Sequence, residues 1–325
     1  MTTSKSSSVL SIEDVSIHYE IDSGIVKAVE DVSFSLKKGE RLALVGESGS
    51  GKSTLSMTML GLTPPPGKIV KGRILLSGKE ISSFNDKEIR KSRLNDIALI
   101  PQGAMNALNP VIKIKEQMVD GMEDHGIKLD KKEKDKKISE LLERVGLNKN
   151  VANMYAHELS GGMKQRVAMA IATCLDPSVI VADEPTSALD VIVQRQVMIT
   201  LGRLQKGLEA SVVLVGHDMG LVAQFADRIG VMYAGRMVEL GDVKKVFKKP
   251  LHPYTRMLIE SLPDIDVKKD RLSGIGGLPP SLLNIDPGCS FCLRIGKVSK
   301  RSPNWIQKDE GHFFSECKTC VNYKV

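Results

Sequence analysis

Residues 46–53 read GESGSGKS, and their types and spacing suit them to holding phosphate groups. They match the P-loop pattern of Gly, four residues, Gly, Lys and then Ser or Thr. Closely spaced glycines let backbone N–H groups curl around phosphate oxygens at a helix N-terminus, where the helix dipole favours an anion. Lys52 is expected to reach the β- and γ-phosphates of ATP, and Ser53 to bind Mg²⁺. The candidate nucleotide-binding residues here are Gly46, Ser48, Gly49, Ser50, Gly51, Lys52, Ser53 and Thr54.

A pair of acidic residues stands at the end of the apolar run VIVADE, at 179–184. A buried strand ending at Asp183 would bring a carboxylate beside the P-loop, where it can hold Mg²⁺ through water. Glu184 would then polarise the attacking water as a general base. Many strands end in a solvated acidic turn, so the run alone is weak evidence, but its distance downstream of the P-loop makes it specific.

The elements that must position these residues alternate along the chain. Short β-branched or Leu-rich runs alternate with longer helical patterns, which is typical of an α/β fold with a mainly parallel sheet. Strands are predicted at 11–19, 41–45, 97–100, 179–182 and 212–215, and helices after Gly51, Ser160, Leu189 and Asp218. Between 110 and 155 the pattern is helical and charged, which predicts a helical subdomain at about 103–165.

Length and charge exclude several classes of protein. At 325 residues the chain suits one main α/β domain plus an appendage. Its apolar stretches, such as 167–175, are about half of the roughly 20 residues that cross a bilayer. No secretory signal opens the sequence, so a cytoplasmic protein is expected. The net charge of +7 is interpreted as solubility, because the Lys-rich run at 128–137 is interleaved with acidic residues like a solvated helix face.

Residues 159–165 read LSGGMKQ, and together with the P-loop they closely resemble the ATP-binding subunits of ABC transporters. The resemblance spans about residues 9–250 and implies a P-loop NTPase core of the ABC ATPase type. In that family this signature segment clamps the γ-phosphate that is bound to the opposite subunit. Ser160, Gly161, Gly162 and Gln165 are the residues so implied, with Ser160 capping a helix whose N-terminal amides are exposed.

Other family elements follow in order, and their roles are implied by the resemblance. Gln102 matches the loop glutamine that touches Mg²⁺ and water, and Asp190 matches the loop that crosses the dimer interface. His217 matches the switch histidine on the γ-phosphate, so the implied catalytic residues are Glu184, His217, Gln102 and Lys52. Tyr19 lies where the family stacks an aromatic ring on adenine, with Tyr155 or a purely structural tyrosine as alternatives.

The stretch LHPYTRMLIESLP at 251–263, followed by GLPPSL and PGCSF, resembles the tail of oligopeptide and dipeptide importer ATPases. The domain boundary is predicted near 250, with a C-terminal extension at 251–325. The resemblance implies ATP hydrolysis coupled to peptide import at the cytoplasmic side of the membrane. The implied partners are a second ABC ATPase subunit, with a heterodimer favoured, two transmembrane permease subunits and an extracellular solute-binding protein.

Alternative functions follow from the same motifs. Relatives with this tail also serve nickel and oligosaccharide importers. An ABC ATPase acting on nucleic acid, as in excision repair or translation, is a rival from another class, and a non-catalytic ATP clamp is a third. A single cassette with an importer-like tail argues against nucleic acid, and the presence of Glu184 and His217 argues against the clamp.

Four of the five cysteines form two C-x₂-C pairs, Cys289 with Cys292 and Cys317 with Cys320. In a cytosolic chain this spacing predicts a tetrahedral sulfur site for Zn²⁺ or an iron–sulfur cluster. The fifth, Cys174, lies on an apolar helix and is expected in the core.

The resemblance bears on the identity of this metal. Some dipeptide-importer ATPases carry a [4Fe–4S] cluster in this tail, and Cys289 and Cys317 match that pattern. Ile295, however, stands where the family usually has a cysteine, and none occurs near Lys300. Cluster and zinc both remain open, with the cluster slightly favoured. The expected role is structural and remote from ATP.

Overall fold

The computed structural model describes residues 8–103, 107–262, 275–299 and 301–323. Pro263 and Lys300, both cited above, lie outside these residues. The chain divides into two compact units, each assembled from separate segments. The signature unit consists chiefly of Leu36–Arg41 and Leu75–Leu214, and the P-loop unit of Ser11–Ser35, Leu42–Ile74 and Val215–Val325.

Strands and helices alternate through most of the described residues. The strands are β1 (Ser8–Ile21), β2 (Gly24–Lys37), β3 (Arg41–Val45), β4 (Gly67–Leu76), β5 (Lys79–Glu80), β6 (Ile97–Ile100), β7 (Val179–Asp183), β8 (Ser211–Gly216), β9 (Arg228–Tyr233), β10 (Arg236–Asp242), β11 (Asn304–Asp309) and β12 (His312–Glu316). The helices are α1 (Lys52–Met59), α2 (Asp86–Ser92), α3 (Ile114–Glu123), α4 (Lys131–Arg144), α5 (Gly161–Ala172), α6 (Val191–Leu208), α7 (Met219–Phe225), α8 (Val243–Lys248), α9 (Pro253–Glu260) and α10 (Ser290–Arg294). None of the described helices is both long and apolar enough to span a membrane.

In the signature unit, β7 lies between β8 and β6. Strands β6 and β7 are parallel, with Ile97 opposite Val179 and Ile100 opposite Ala182. All five residues of β7 are buried, as expected for a parallel strand covered on both faces. The predicted strands at 97–100 and 179–182 are therefore confirmed, and the second extends to Asp183.

The region between β6 and β7 is helical, as the sequence predicts. Helix α4 begins with a capping box, in which Asp130 and Glu133 each accept a hydrogen bond from the other's backbone N–H. The helix buries Ile138, Leu141 and Leu142 and exposes most of its lysines. The Lys-rich run is thus a solvated helix face.

In the P-loop unit, β3 pairs in parallel with β9, and Val45 lies opposite Val231. Strand β10 continues the sheet antiparallel to β9. The β11–β12 hairpin then extends the sheet further, because β12 pairs with β10, with Phe314 opposite Glu239. The sequence analysis did not predict this hairpin, which makes the tail part of the sheet.

Buried polar contacts of Glu239 attach the tail to β10. Glu239 is fully buried, and its carboxylate accepts hydrogen bonds from the backbone N–H groups of Leu251 and His252 at 2.9 Å each. The Nε2 atom of His312 lies 2.8 Å from the same carboxylate. His252 in turn caps α9, because its Nδ1 accepts a hydrogen bond from the Tyr254 N–H.

Candidate functional site

The P-loop joins the end of β3 to the start of α1 through backbone that only glycine suits at two positions. Gly46 has φ 148° and Gly51 has φ 95°. A Cβ atom at Gly46 would lie 2.1 Å from the carbonyl oxygen of Met232, and one at Gly51 would lie 2.3 Å from that of Ala28. The loop therefore packs tightly on its neighbours, as a phosphate cradle does.

Lys52, the first residue of α1, is buried inside the P-loop. Its ammonium donates hydrogen bonds to the carbonyl oxygens of Gly46 at 2.9 Å and Glu47 at 2.8 Å, and lies 3.2 Å from the Ser50 hydroxyl. Ser53, by contrast, is exposed beside it. The helix start thus carries a cation held at the loop and an exposed hydroxyl, which suit a phosphate chain and Mg²⁺.

The P-loop unit also holds Tyr19 and His217. Tyr19 lies near the end of β1 and is half-buried, with its ring so close to Gly67 that an added Cβ would lie 2.7 Å from the ring. His217 is exposed and directly follows β8. The next residue, Asp218, caps α7 by accepting from the Leu221 N–H.

The signature unit brings two predicted catalytic residues together. The Gln102 side-chain amide donates to the Glu184 carboxylate at 3.1 Å. Asp183, the last residue of β7, is 4% exposed, and Glu184 follows it with φ 43°. A positive φ at a residue other than glycine is strained, and such strain concentrates at functional sites.

The signature segment opens α5. Ser160 is exposed and caps the helix, with its hydroxyl 3.4 Å from the Met163 N–H. Gly162 packs on α6, where an added Cβ would lie 2.5 Å from Val193. The Gln165 side chain is buried, and its amide nitrogen has no hydrogen-bond partner among the residues that the structure describes.

Asp190 begins α6 rather than standing free in a loop. Its carboxylate accepts hydrogen bonds from the N–H groups of Ile192 and Val193, both at 3.0 Å. This residue therefore has a capping role within its own chain, whatever it contacts across an interface.

Two contacts of the P-loop with the C-terminal tail were missed in the sequence analysis. Glu47, a variable position of the P-loop pattern, donates its backbone N–H to the Tyr254 hydroxyl at 3.0 Å. Its carboxylate receives both Nη atoms of Arg294, at 2.5 and 3.1 Å. The partners lie 207 and 247 residues from Glu47 along the chain, so no local pattern could reveal them. Only the position of Tyr254 in the importer-like tail offered a hint.

The four tail cysteines converge on one buried point. All four sulfur atoms lie within 4.8 Å of one another. Cys289 and Cys320 are 3.8 Å apart, and Cys292 and Cys317 are 3.6 Å apart. A single ion that binds four thiolates tetrahedrally at about 2.3 Å separates neighbouring sulfurs by about 3.8 Å. The compact set is therefore compatible with a bound metal.

Electrostatics within the set favour one thiolate. The hydrogen bond from Cys320 lowers the pKa of Cys289 to about 5. That same interaction raises the pKa of Cys320. Cys174 differs, because burial raises the pKa of its thiol to about 11 and leaves it an unreactive core residue as predicted.

The helix that carries Cys292 contacts the P-loop, whereas the expected remoteness of the cysteine site from ATP stays a prediction. Arg294, which binds the P-loop residue Glu47, lies two residues after Cys292 on α10. Phe291, also on α10, packs its ring against Tyr254, the other partner of Glu47. The C-terminal tail therefore contacts the P-loop directly, through Arg294 and Tyr254.

Comparison with solved structures identifies the class of protein. The chain is similar to the structure described as a dimeric post-hydrolysis state of the ATP-binding cassette MJ0796 bound to ADP and Pi. The TM-score is 0.65 at 28% identity, covering 72% of this chain and 98% of that one. With a P-loop and a signature segment in the same chain, the fold defines an ATP-hydrolysing ABC cassette.

Sequence comparisons identify the family of ABC cassettes to which the chain belongs. A profile of the ABC transporter family matches residues 29–187, and one of the oligopeptide/dipeptide transporter C-terminal region matches residues 238–299. The dipeptide transport ATP-binding protein DppD of Caldanaerobacter subterraneus subsp. tengcongensis is 41% identical, over 94% of this chain and 95% of that protein. The oligopeptide transport ATP-binding protein OppD of Bacillus subtilis is 42% identical, over 94% and 87%. The chain belongs to the family of ABC transporter ATP-binding subunits that carry this C-terminal region.

Proposed function

We propose that this chain hydrolyses ATP to power the import of dipeptides or oligopeptides. The observation that carries the proposal is the joining of an ABC cassette to the oligopeptide/dipeptide transporter tail in one chain. Relatives that share both regions are named as dipeptide and oligopeptide transport ATP-binding proteins. We assign residues 1–250 to the nucleotide-binding domain and 251–325 to the importer-type extension.

The P-loop binds the phosphate chain of ATP in this proposal. Its backbone N–H groups and Lys52 contact the phosphate oxygens, and Ser53 with Asp183 holds Mg²⁺, which neutralises phosphate charge when bound. The glycine-only backbone of the loop and the cation held inside it support this assignment. The contributing residues are Gly46, Ser48, Gly49, Ser50, Gly51, Lys52, Ser53 and Thr54, with Tyr19 stacking on adenine.

Glu184 acts as the general base for water attack on the γ-phosphorus. Gln102 orients the Glu184 carboxylate, a role supported by the 3.1 Å hydrogen bond between them. His217 contacts the transferring phosphoryl group, and Lys52 stabilises its developing charge. These four residues thus divide proton removal, orientation of the base and charge stabilisation.

The signature segment completes the site of a second ATPase subunit. Ser160, Gly161 and Gly162 present helix N-terminal amides, and Gln165 and Asp190 support them. The exposure of Ser160 supports a role at an interface, and a related cassette is described as a dimer bound to ADP and Pi. We favour a heterodimer.

The cysteine set holds one structural Zn²⁺ rather than a [4Fe–4S] cluster. Each thiolate of such a cluster binds a different iron, which spreads the sulfurs further apart than four ligands of one ion. The separations of 3.6 and 3.8 Å within two of the sulfur pairs support a single ion, for which about 3.8 Å is expected. Cys289, Cys292, Cys317 and Cys320 are the ligands, and the ion stabilises a small Gly/Pro-rich module.

The proposed partners of this ATPase are the other subunits of an import complex. Two transmembrane permease subunits and an extracellular solute-binding protein supply the path and the peptide selectivity, and nucleic acid is not a partner. The ATPase lies at the cytoplasmic side of the cell membrane.

The proposal is tested by reconstituting the chain with its permeases and second ATPase subunit in proteoliposomes. ATP hydrolysis should rise when the binding protein is loaded with a dipeptide, and the dipeptide should accumulate inside. The Glu184→Gln chain is the control for both readouts. Stimulation by nickel or an oligosaccharide, with no response to peptides, would contradict the substrate class while leaving the ATPase assignment intact.

A further inference from the structure

The side of the P-loop formed by Glu47 is held by two tail residues. The Tyr254 hydroxyl accepts the backbone N–H of Glu47, and the Arg294 guanidinium binds its carboxylate with two hydrogen bonds. We call these two contacts the brace. They hold one residue by its main chain and by its side chain, so Glu47 has little freedom to turn.

Arg294 is itself fixed from several directions. Its side chain is 2% exposed. Its Nε donates to the Gly276 carbonyl at 2.8 Å, and its Nη2 donates to those of Ile275 and Gly277 at 3.1 Å each. A guanidinium with this many partners is pre-organised, and a bidentate pair with a carboxylate is among the strongest hydrogen-bonded ion pairs. The brace is therefore rigid at its tail end.

On the other side, Glu47 contacts the residue that carries the charge of the P-loop. Its carbonyl oxygen accepts a hydrogen bond from the Lys52 ammonium at 2.8 Å. A rotation of Glu47 would move both this carbonyl and the adjacent amides of the loop. The brace thus acts on the position of Lys52 through one residue.

The brace is also tied to the cysteine site. Arg294 is the last residue of α10, a helix that begins after Cys289 and contains Cys292. Phe291, fully buried on the same helix, contacts the rings of Tyr254 and Tyr233. An ion bound by the cysteines would hold α10 to the strand end at Cys317, and with it the guanidinium and the tyrosine.

We propose that Tyr254 and Arg294 are positioning residues for the P-loop, and that the ion at the four cysteines sets the affinity of the loop for ATP through them. This inference rests on the proposed function, since it takes the P-loop to bind ATP and the cysteines to bind Zn²⁺. It adds a regulatory link: loss of the ion from the cysteine site weakens nucleotide binding. The tail is then a sensor of metal supply that acts on the ATPase.

The first experiment removes each contact of the brace and measures binding of a fluorescent ATP analogue to the full chain. Tyr254→Phe deletes one hydroxyl, so affinity should fall about fivefold, the worth of one hydrogen bond of about 1 kcal/mol. Arg294→Gln should lower it further, and Arg294→Lys should restore part of the loss, because lysine keeps the charge but not the two-point geometry. Zinc content should stay at one ion per chain in all three.

A matched control separates positioning from stability. His312→Ala breaks another buried contact between the tail and the sheet, at Glu239, without touching Glu47. It should lower the thermal midpoint while leaving ATP affinity unchanged. Tyr254→Phe should instead lower ATP affinity while leaving the thermal midpoint unchanged. If the two variants affected affinity equally, the brace would be merely structural and the inference would be overturned.

The second experiment tests the link to the metal by combining zinc removal with the variant. Chelation should weaken analogue binding in the wild type by about the same factor as Arg294→Gln. In Arg294→Gln itself, chelation should cause little further loss, because the connection is already broken. The link would be contradicted if the losses of affinity from chelation and from Arg294→Gln multiplied. It would also be contradicted if wild-type affinity did not change when zinc is removed. A wild-type chain that binds no ATP analogue would instead refute the proposed nucleotide-binding function. A wild-type chain that binds no zinc would refute the proposed zinc site. The inference rests on both.

Discussion

The P-loop and the signature segment are both helix N-termini suited to phosphate, yet the chain supports them differently. The P-loop encloses a buried Lys52 and is braced by Tyr254 and Arg294. The signature segment has an exposed Ser160 whose single capping contact is 3.4 Å long. The P-loop is thus supported by contacts within its own chain, whereas the signature segment is exposed, as the proposed contact with a second subunit requires.

This contrast predicts that substitutions in the two segments impair different steps of the ATPase cycle. Changes in the P-loop should act on nucleotide binding in the same chain, and changes at the signature segment should act on a partner. Changes at Glu184 should act on turnover alone.

The largest effect is expected for Glu184→Gln. Loss of a positioned general base should slow hydrolysis by about 10²–10⁴ while leaving ATP affinity unchanged. Steady-state phosphate release and equilibrium binding of an ATP analogue measure the two quantities. Glu209→Gln, which removes only an exposed pair with Lys38, is the matched control and should be neutral. Near-normal turnover in Glu184→Gln would remove this residue from catalysis.

Lys52→Ala should act on binding instead. A charge-assisted hydrogen bond is worth about 1.5–3 kcal/mol, so ATP affinity should fall about 10- to 100-fold. Calorimetric titration with ATP measures the change. Lys68→Ala, which removes an exposed lysine paired with Glu20, controls for the loss of charge. Equal affinities for Lys52→Ala and wild type would count against the P-loop assignment and the contrast drawn from it.

Ser160→Ala should act in trans. Loss of one hydrogen bond from the Ser160 hydroxyl to the partner's γ-phosphate is worth about 1 kcal/mol, which corresponds to about a fivefold lower rate at the partner's site. The rate is read in a dimer whose variant chain also carries Glu184→Gln, so that only the partner's P-loop turns over. Asn148→Ala, which removes a cap elsewhere in the signature unit, is the comparison. An unchanged partner rate would refute the proposed contribution of the signature segment to the partner's site.

The smallest effect at neutral pH concerns His252. Burial lowers its pKa from 6.5 to about 3, so between these values the unfolded chain binds a proton that the folded chain does not. Stability should fall as pH drops through this window, by at most about 1.4 kcal/mol per pH unit. His252→Asn keeps a capping acceptor but cannot titrate, so its denaturation midpoints should vary less with pH. Equal slopes would show that other groups dominate.

The parts of the fold that could be predicted are those with a recognisable pattern within a short stretch of sequence. The P-loop, the strand at 97–100 and the helix after Ser160 each follow from glycine spacing, apolar runs or a capping residue. The family resemblance indicated Gln102 and Glu184 separately, and the hydrogen bond between them was found in the structure. These features are encoded within short stretches of chain.

The parts that were missed depend on distant residues. The brace joins Glu47 to partners more than 200 residues away, and a variable P-loop position gives no sign of it. The hairpin of β11 and β12 lies in a region rich in chain breakers, and its pairing with β10 decides that it forms. The C-x₂-C spacing is shared by zinc and cluster sites, so the sequence left both metals open.

The long sequence separation of the brace has a consequence for biosynthesis. The contact between Glu47 and Arg294 spans 247 residues, and ribosomes add about 5–20 residues per second. Arg294 is therefore made about 12–50 s after Glu47. During that interval a nascent cassette has its P-loop sequence but not the residues that hold it. On the proposed role of the brace, the chain acquires its full affinity for nucleotide only after the tail has been made and has folded.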